Sequence, residues 1–193
     1  MADNQPPKPS KAGRTLVGTV GMATALMLFT SIPMEESGRK VTASVSPQTG
    51  AVTVKHISGP QYLKAYLDLV KKATACDGIT RGVRMGQIYT EQQCAQMLEA
   101  ELEIHAHELI TCIPGLSPTI PGRDHIRAAM VSLAYHVGPP AVCRSSIRLK
   151  IAQGRLRAAC DTLPDFNKSK GRVVPGFVAR RAREHALCIK DAA

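Results

Sequence analysis

Carboxylates are the groups best suited to chemistry in this sequence. Glu35, Glu36, Asp68 and Asp77 stand outside the clearly helical stretches. Paired carboxylates serve general acid/base work, one delivering a proton while the other stays charged. The rival chemistries lack their parts. His105 and His107 fall on different faces of a predicted helix and make no metal pair. No GxSxG, P-loop or GxGxxG occurs, Ser145-Ser146 reads as a helix start, and neither metal nor other cofactor is expected. Aromatic residues are 4% with no tryptophan, so stacking of a sugar or base falls to Tyr62, Tyr66, Tyr89, Tyr135 or a Phe.

The chain that must position these groups has 193 residues, 44% hydrophobic and 21% charged, a composition for one folded domain with an appendage. Its formal charge of +10 comes from 25 basic and 15 acidic residues. That surplus suits a polyanion: nucleic acid, anionic lipid or an acidic cell-wall polymer. Six cysteines, Cys76, Cys94, Cys112, Cys143, Cys160 and Cys188, are widely spaced with no CxxC. An even count at such spacing suits disulfides in an oxidising compartment and disfavours structural zinc. The local pairings expected are Cys76 with Cys94 and Cys143 with Cys160. Cys112 with Cys188 would then tie down the C-terminus.

Residues 1–14 form a polar tail bearing Lys8, Lys11 and Arg14, and residues 15–33 carry no charge. The uncharged run is long enough to span a bilayer, with the basic flank held in the cytoplasm. A cleaved signal peptide is the rival reading, but Thr30, Ser31, Ile32 and Pro33 fit a cleavage site poorly. The run is rich in Gly, Ala, Ser and Thr, so its hold on lipid is weak. A buried core helix is the plain alternative.

Beyond it, residues 40–56 alternate apolar and polar around Pro-Gln-Thr-Gly, predicting a hairpin with Val41, Ala43 and Val45 facing Val52 and Val54. Short strands are expected within 60–89. Thr90 with Gln93 is a capping box opening a helix that ends before Pro114-Gly115. Helices are predicted over 124–137, 143–153, 155–162 and 175–189. The order is a small β region followed by a helical lobe.

That order carries a resemblance. LKAYLDLVKKATACDGITRGVRMGQIYTEQQC (63–94) resembles the β-lobe motif AYxDxxGxxTxGxGxT of phage-type lysozymes. VSLAYHVG (131–138) resembles their SFAFNVG helix. CRSSIRLKIAQGRLRAAC (143–160) resembles their FxSSxLxxxNxG stretch, and VVPGFVARRAREHALC (173–188) their terminal PGLxxRRxxE. The resemblance covers about residues 34–189 and implies an α+β, lysozyme-like fold behind a signal-anchor helix. The domains are then 1–14 as a cytoplasmic basic tail, 15–33 as the anchor and 34–193 as the catalytic unit.

The family's catalytic set is Glu, Asp and Thr, and its Asp-to-Thr spacing falls here on Asp68 and Thr74. Its Glu spacing falls on Gly59, where no carboxylate stands. The resemblance is kept by reading Glu36-Ser37-Gly38-Arg39 as the displaced ExxR motif, with the hairpin inserted behind it. Glu36 is then the acid, with neighbouring Glu35 as its rival, and Asp68 with Thr74 positions water on the other face, as an inverting glycosidase requires. Arg39, Asp77 and Tyr66 are the expected substrate contacts. Asp77 could equally be a solvated turn residue and Tyr66 core packing. Arg180, Arg181 and Arg183 read as a solvated or wall-binding face, or as ion pairs to Glu184 or the β-lobe. The implied protein is a monomeric endolysin of the signal-anchor-release type. It would act on peptidoglycan, bind no nucleic acid, and be held single-pass in the inner membrane through residues 15–33 before release to the periplasm. A catalytically silent peptidoglycan-binding, membrane-tethered protein is the alternative.

Overall fold

The computed structural model describes residues 14–46, 48–68 and 71–192; all of the basic tail but Arg14 lies outside them. The uncharged run is not one helix. Thr15 caps a short α1 (Leu16–Val20), Gly21 at φ 85 breaks it, and α2 (Met22–Ser37) comes after the break. Leu16, Val20, Ala25, Leu28, Phe29 and Ile32 are fully buried. In this folded state the expected single bilayer-spanning helix over 15–33 is therefore replaced by two core helices. No helix among the described residues is long and apolar enough to cross a membrane. Burial against protein removes the same apolar surface from water that lipid would.

The hairpin forms as its alternation predicts. β1 (Lys40–Val45) pairs antiparallel with β2 (Val52–Ser58), placing Ala43 opposite Val54 and Val45 opposite Val52. Its buried valines lie against α2 and against α3 (Glu91–Cys112). The excursion closes on itself: a Cβ built on Gly59, at φ 93, would lie 2.8 Å from the Cα of Arg39. The chain thus leaves at Arg39 and returns beside it. β3 (Tyr66–Leu67) and β4 (Ala73–Thr74) make the second small sheet, with Tyr66 opposite Thr74.

Helix α3 opens with the Thr90–Gln93 capping box. Helix α4 (Asp124–Val137) is buried continuously from Ile126 to Ala134 and packs on α2, α3 and the last helix. The predicted 143–153 helix divides into α5 (Pro139–Arg144) and α6 (Ser146–Ala152), with the Ser145 hydroxyl capping α6. Next come α7 (Leu156–Cys160), a two-residue ribbon of β5 (Lys168–Ser169) and β6 (Arg172–Val173), and α8 (Pro175–Cys188). Cys76 pairs with Cys94 as expected. The other two expected pairings are corrected to Cys112–Cys143 and Cys160–Cys188, because α4 and α8 bring together cysteines from segments that only tertiary packing juxtaposes.

Candidate active site

Glu36 sits in the last turn of α2, which ends at Gly38 in the left-handed conformation. Its side chain is 20% exposed, and its Oε1 accepts a 2.6 Å hydrogen bond from the buried Arg180 guanidinium. It lines a cavity of about 290 Å³ with Gly78, Ile79, Thr80, Glu101, His105, Tyr135 and His136. The β-lobe, α3 and α4 each supply a wall. Gly78 is the contact that sets the fit, since a Cβ there would lie 3.1 Å from Glu36 Oε2. Glu35 points elsewhere: Arg183 donates to its two oxygens at 2.6 Å each.

Asp68 and Thr74 face each other across the β3–β4 turn. The Lys72 amide donates to Asp68 Oδ1 at 2.8 Å. The Thr74 hydroxyl lies 3.4 Å from Asp68 Oδ2 and 3.1 Å from the Lys72 carbonyl, so one proton serves two acceptors. Thr74 itself is buried. Tyr66 stands opposite Thr74 in the β3–β4 sheet. Burial raises its pKa, and the charges of Asp68, Glu36 and Asp77 raise it further. Its ring lies 5.2 Å from that of the exposed Tyr62, leaving an aromatic pair beside the carboxylates.

Two of the expected substrate contacts are paired with each other. Arg39 and Asp77 are buried at 3% and 0% exposure, and the guanidinium grips the carboxylate with two 2.7 Å hydrogen bonds. Arg39 also pairs with Glu91 at the start of α3. Burial works against the Arg39 charge, but the hydrogen bonds and charges of Asp77 and Glu91 outweigh it and raise its pKa.

Of the two readings of Arg180 and Arg181, the structure shows the ion pairing to Glu184. Both residues are buried and converge on Glu184, which also accepts from Ser132 at 2.6 Å. Sequence reasoning passed over Arg180 as a partner for Glu36, although its i,i+4 relation to Glu184 signals an inward-facing charge. It also passed over His136, which the VSLAYHVG motif marks beside Tyr135. His136 packs edge-on against Phe177 at 4.4 Å. Its Nδ1 has no hydrogen-bond partner among the described residues. Burial, with Arg180 and Arg181 nearby, lowers its pKa to about 4, so it is neutral near pH 7. The described residues hold no cluster of His, Cys, Asp and Glu placed to bind a metal ion.

A small β-lobe on a helical body, with carboxylates where the two meet, defines a lysozyme-like protein. The phage lysozyme family matches residues 58–184, and the chain belongs to that family. It is a peptidoglycan-hydrolysing endolysin and a glycoside hydrolase. Among its relatives, the SAR-endolysin of Bacteriophage PS119 is 30% identical over 87% of this chain and 98% of its own length. The SAR-endolysin of Enterobacteria phage P21 is 31% identical over 69% of this chain and 78% of its own. The active form of the P1 phage endolysin Lyz superposes with a TM-score of 0.61, at 27% identity over 68% of this chain and 78% of that one. The family match begins at Ser58, the last residue of the hairpin, so it does not include Glu36.

Proposed function

We propose that this endolysin is a muramidase that cleaves the β-1,4 bond between N-acetylmuramic acid and N-acetylglucosamine, with Glu36 as general acid. The observation that carries the reading is the seat of Glu36, exposed to the cavity on one edge and held by Arg180 and Gly78 on the others. Protonated Glu36 delivers its proton to the leaving glycosidic oxygen. Asp68, braced by the Lys72 amide and the Thr74 hydroxyl, holds the water that attacks from the opposite face. Tyr66 and Tyr62 offer an apolar platform for a sugar ring. A zymogram on Gram-negative cell walls tests this, with wild type clearing the gel and Glu36→Gln and Asp68→Asn failing. Clearing by Glu36→Gln removes Glu36 from its role. Absence of clearing by wild type supports a silent wall-binding protein.

The protein is first held single-pass in the inner membrane through residues 15–33, N-terminus in the cytoplasm, and is then released to the periplasm as a monomer. The SAR-endolysin relatives support it, and so do the polar partners awaiting that segment in the folded body. Buried Glu103 accepts from Arg14 at 3.0 Å and lies 3.4 Å from the Thr19 hydroxyl. Buried Arg127 donates to Thr24 at 3.1 Å and to the Val20 carbonyl beside the Gly21 break. Thr19 and Thr24, which weaken the hold on lipid, are used by the folded protein. While the segment spans the membrane, Glu36 stands at the lipid headgroups and the site is incomplete.

A further inference from the structure

Two consecutive residues of the β-lobe, Asp77 and Gly78, reach the helix end that bears Glu36. Gly78 lies against the Glu36 carboxyl itself. Asp77 holds two residues just C-terminal to Glu36: Arg39 through two 2.7 Å hydrogen bonds, and the Ser37 hydroxyl at 3.0 Å from Oδ1. The Ser37 proton is shared with the Pro33 carbonyl at 2.8 Å, so Arg39 is the stronger of the two tethers. The turn is itself fixed, with the Tyr135 hydroxyl donating to the Asp77 carbonyl at 3.1 Å and Cys76 bonded to Cys94 of α3.

This tether has a physical purpose. The last turn of a helix lacks intrahelical partners for its carbonyls and frays readily. Glu36 occupies that turn, immediately before a hairpin excursion rather than a rigid connection. Its carboxyl must nevertheless meet a sugar oxygen at hydrogen-bond distance. A buried, bidentate arginine–carboxylate pair is a directional clamp, and this one crosses from the helix end to the opposite wall of the cavity.

We infer that Asp77 is a positioning residue for Glu36, acting through Arg39 and Ser37, and not a contact to substrate. The inference rests on the reading of Glu36 as the acid.

The test uses the full disulfide-bonded chain in its released form, with turnover on soluble peptidoglycan and thermal unfolding measured together. The variants are Asp77→Asn, Arg39→Gln, the Asp77→Asn/Arg39→Gln pair, and each combined with Glu36→Gln. Removing both charges avoids a lone buried ion, so the pair keeps a thermal midpoint close to wild type. The expected result is kcat lower by about 10- to 100-fold in the pair, with KM within about two-fold of wild type. Glu36→Gln should then cost less in that background than in wild type. Recovery of both kcat and thermal midpoint in the pair would make the clamp merely structural and overturn the proposal. A raised KM at unchanged kcat would make Asp77 a substrate contact and overturn it as well. Full activity of Glu36→Gln alone would remove the acid assignment first, and the proposal with it.

Discussion

Arg180 of α8 donates to Glu36 of α2 at 2.6 Å, joining the end of the N-terminal helix to the C-terminal helix. The same guanidinium reaches Glu184 at 3.2 Å and the Ser132 carbonyl of α4 at 3.4 Å. Three helices remote in sequence therefore share one buried cation. Glu36 is held by the body of the fold, and its proposed role as the acid requires α2 to be docked there.

Replacing Arg180 with alanine should leave Glu36 and Glu184 with one fewer compensating charge in a buried place. We expect a loss of about 3 kcal/mol of unfolding free energy and a fall in turnover, read by denaturant titration and wall-lysis rates. Arg180→Lys should restore part of the stability but less of the turnover, because an ammonium does not reproduce the planar fork. Equal turnover in Arg180→Ala and wild type would count against any role for the contact.

Gly78 tests the fit at the carboxyl. At φ 78, with a built Cβ 3.1 Å from Glu36 Oε2, alanine meets both backbone strain and a crowded acid. The strain should cost about 1–2 kcal/mol, and turnover should fall by more than that stability loss explains. Gly171→Ala, at a similar φ with open space around it, is the control: it should share the stability loss and keep its turnover.

His136 makes stability depend on pH in a definite direction. Its pKa is lowered to about 4 in the fold, against about 6.5 in an unfolded chain. Between those values the unfolded chain takes up a proton that the fold refuses, so this contribution is complete above pH 6.5 and shrinks as pH falls toward 4. Thermal midpoints measured across that window should decline, and His136→Gln should flatten the decline. An unchanged slope would place the dependence on other groups.

The proposed membrane state can be tested without disturbing the folded one. Gly18 and Ala23 are exposed in the fold, so leucine at both should strengthen the hold on lipid while leaving the folded body intact. We expect a larger membrane fraction and delayed lysis. Leucine at Gly21 and Ala25 as well should lock the protein in the membrane, because Gly21 has φ 85 and Ala25 is fully buried. The field also opposes release, at roughly 2.3 kcal/mol per charge per 100 mV for Lys8, Lys11 and Arg14. Collapse of the potential should therefore hasten wild-type lysis. Lysis on the wild-type schedule by the fully substituted variant would end the tethering account.

Features resting on neighbours in the chain were legible from the amino-acid order. The Thr90–Gln93 capping box, the hairpin predicted over 40–56 and helix 124–137 depend on short-range periodicity and capping. The resemblance then placed Asp68, Thr74 and a displaced glutamate on a lysozyme-like frame. What tertiary structure decided is where long-range partners meet. An uncharged run satisfies lipid and a protein core equally well, because both withdraw it from water; only the waiting Glu103, Arg127 and α4 surface show how the fold receives residues 15–33. Charges written as Arg39, Asp77, Arg180 and Arg181 look solvated in a sequence, since arginine and aspartate usually are. Burial turned them into clamps, because a charge withdrawn from water must find its opposite, and that opposite lay on another element of the fold.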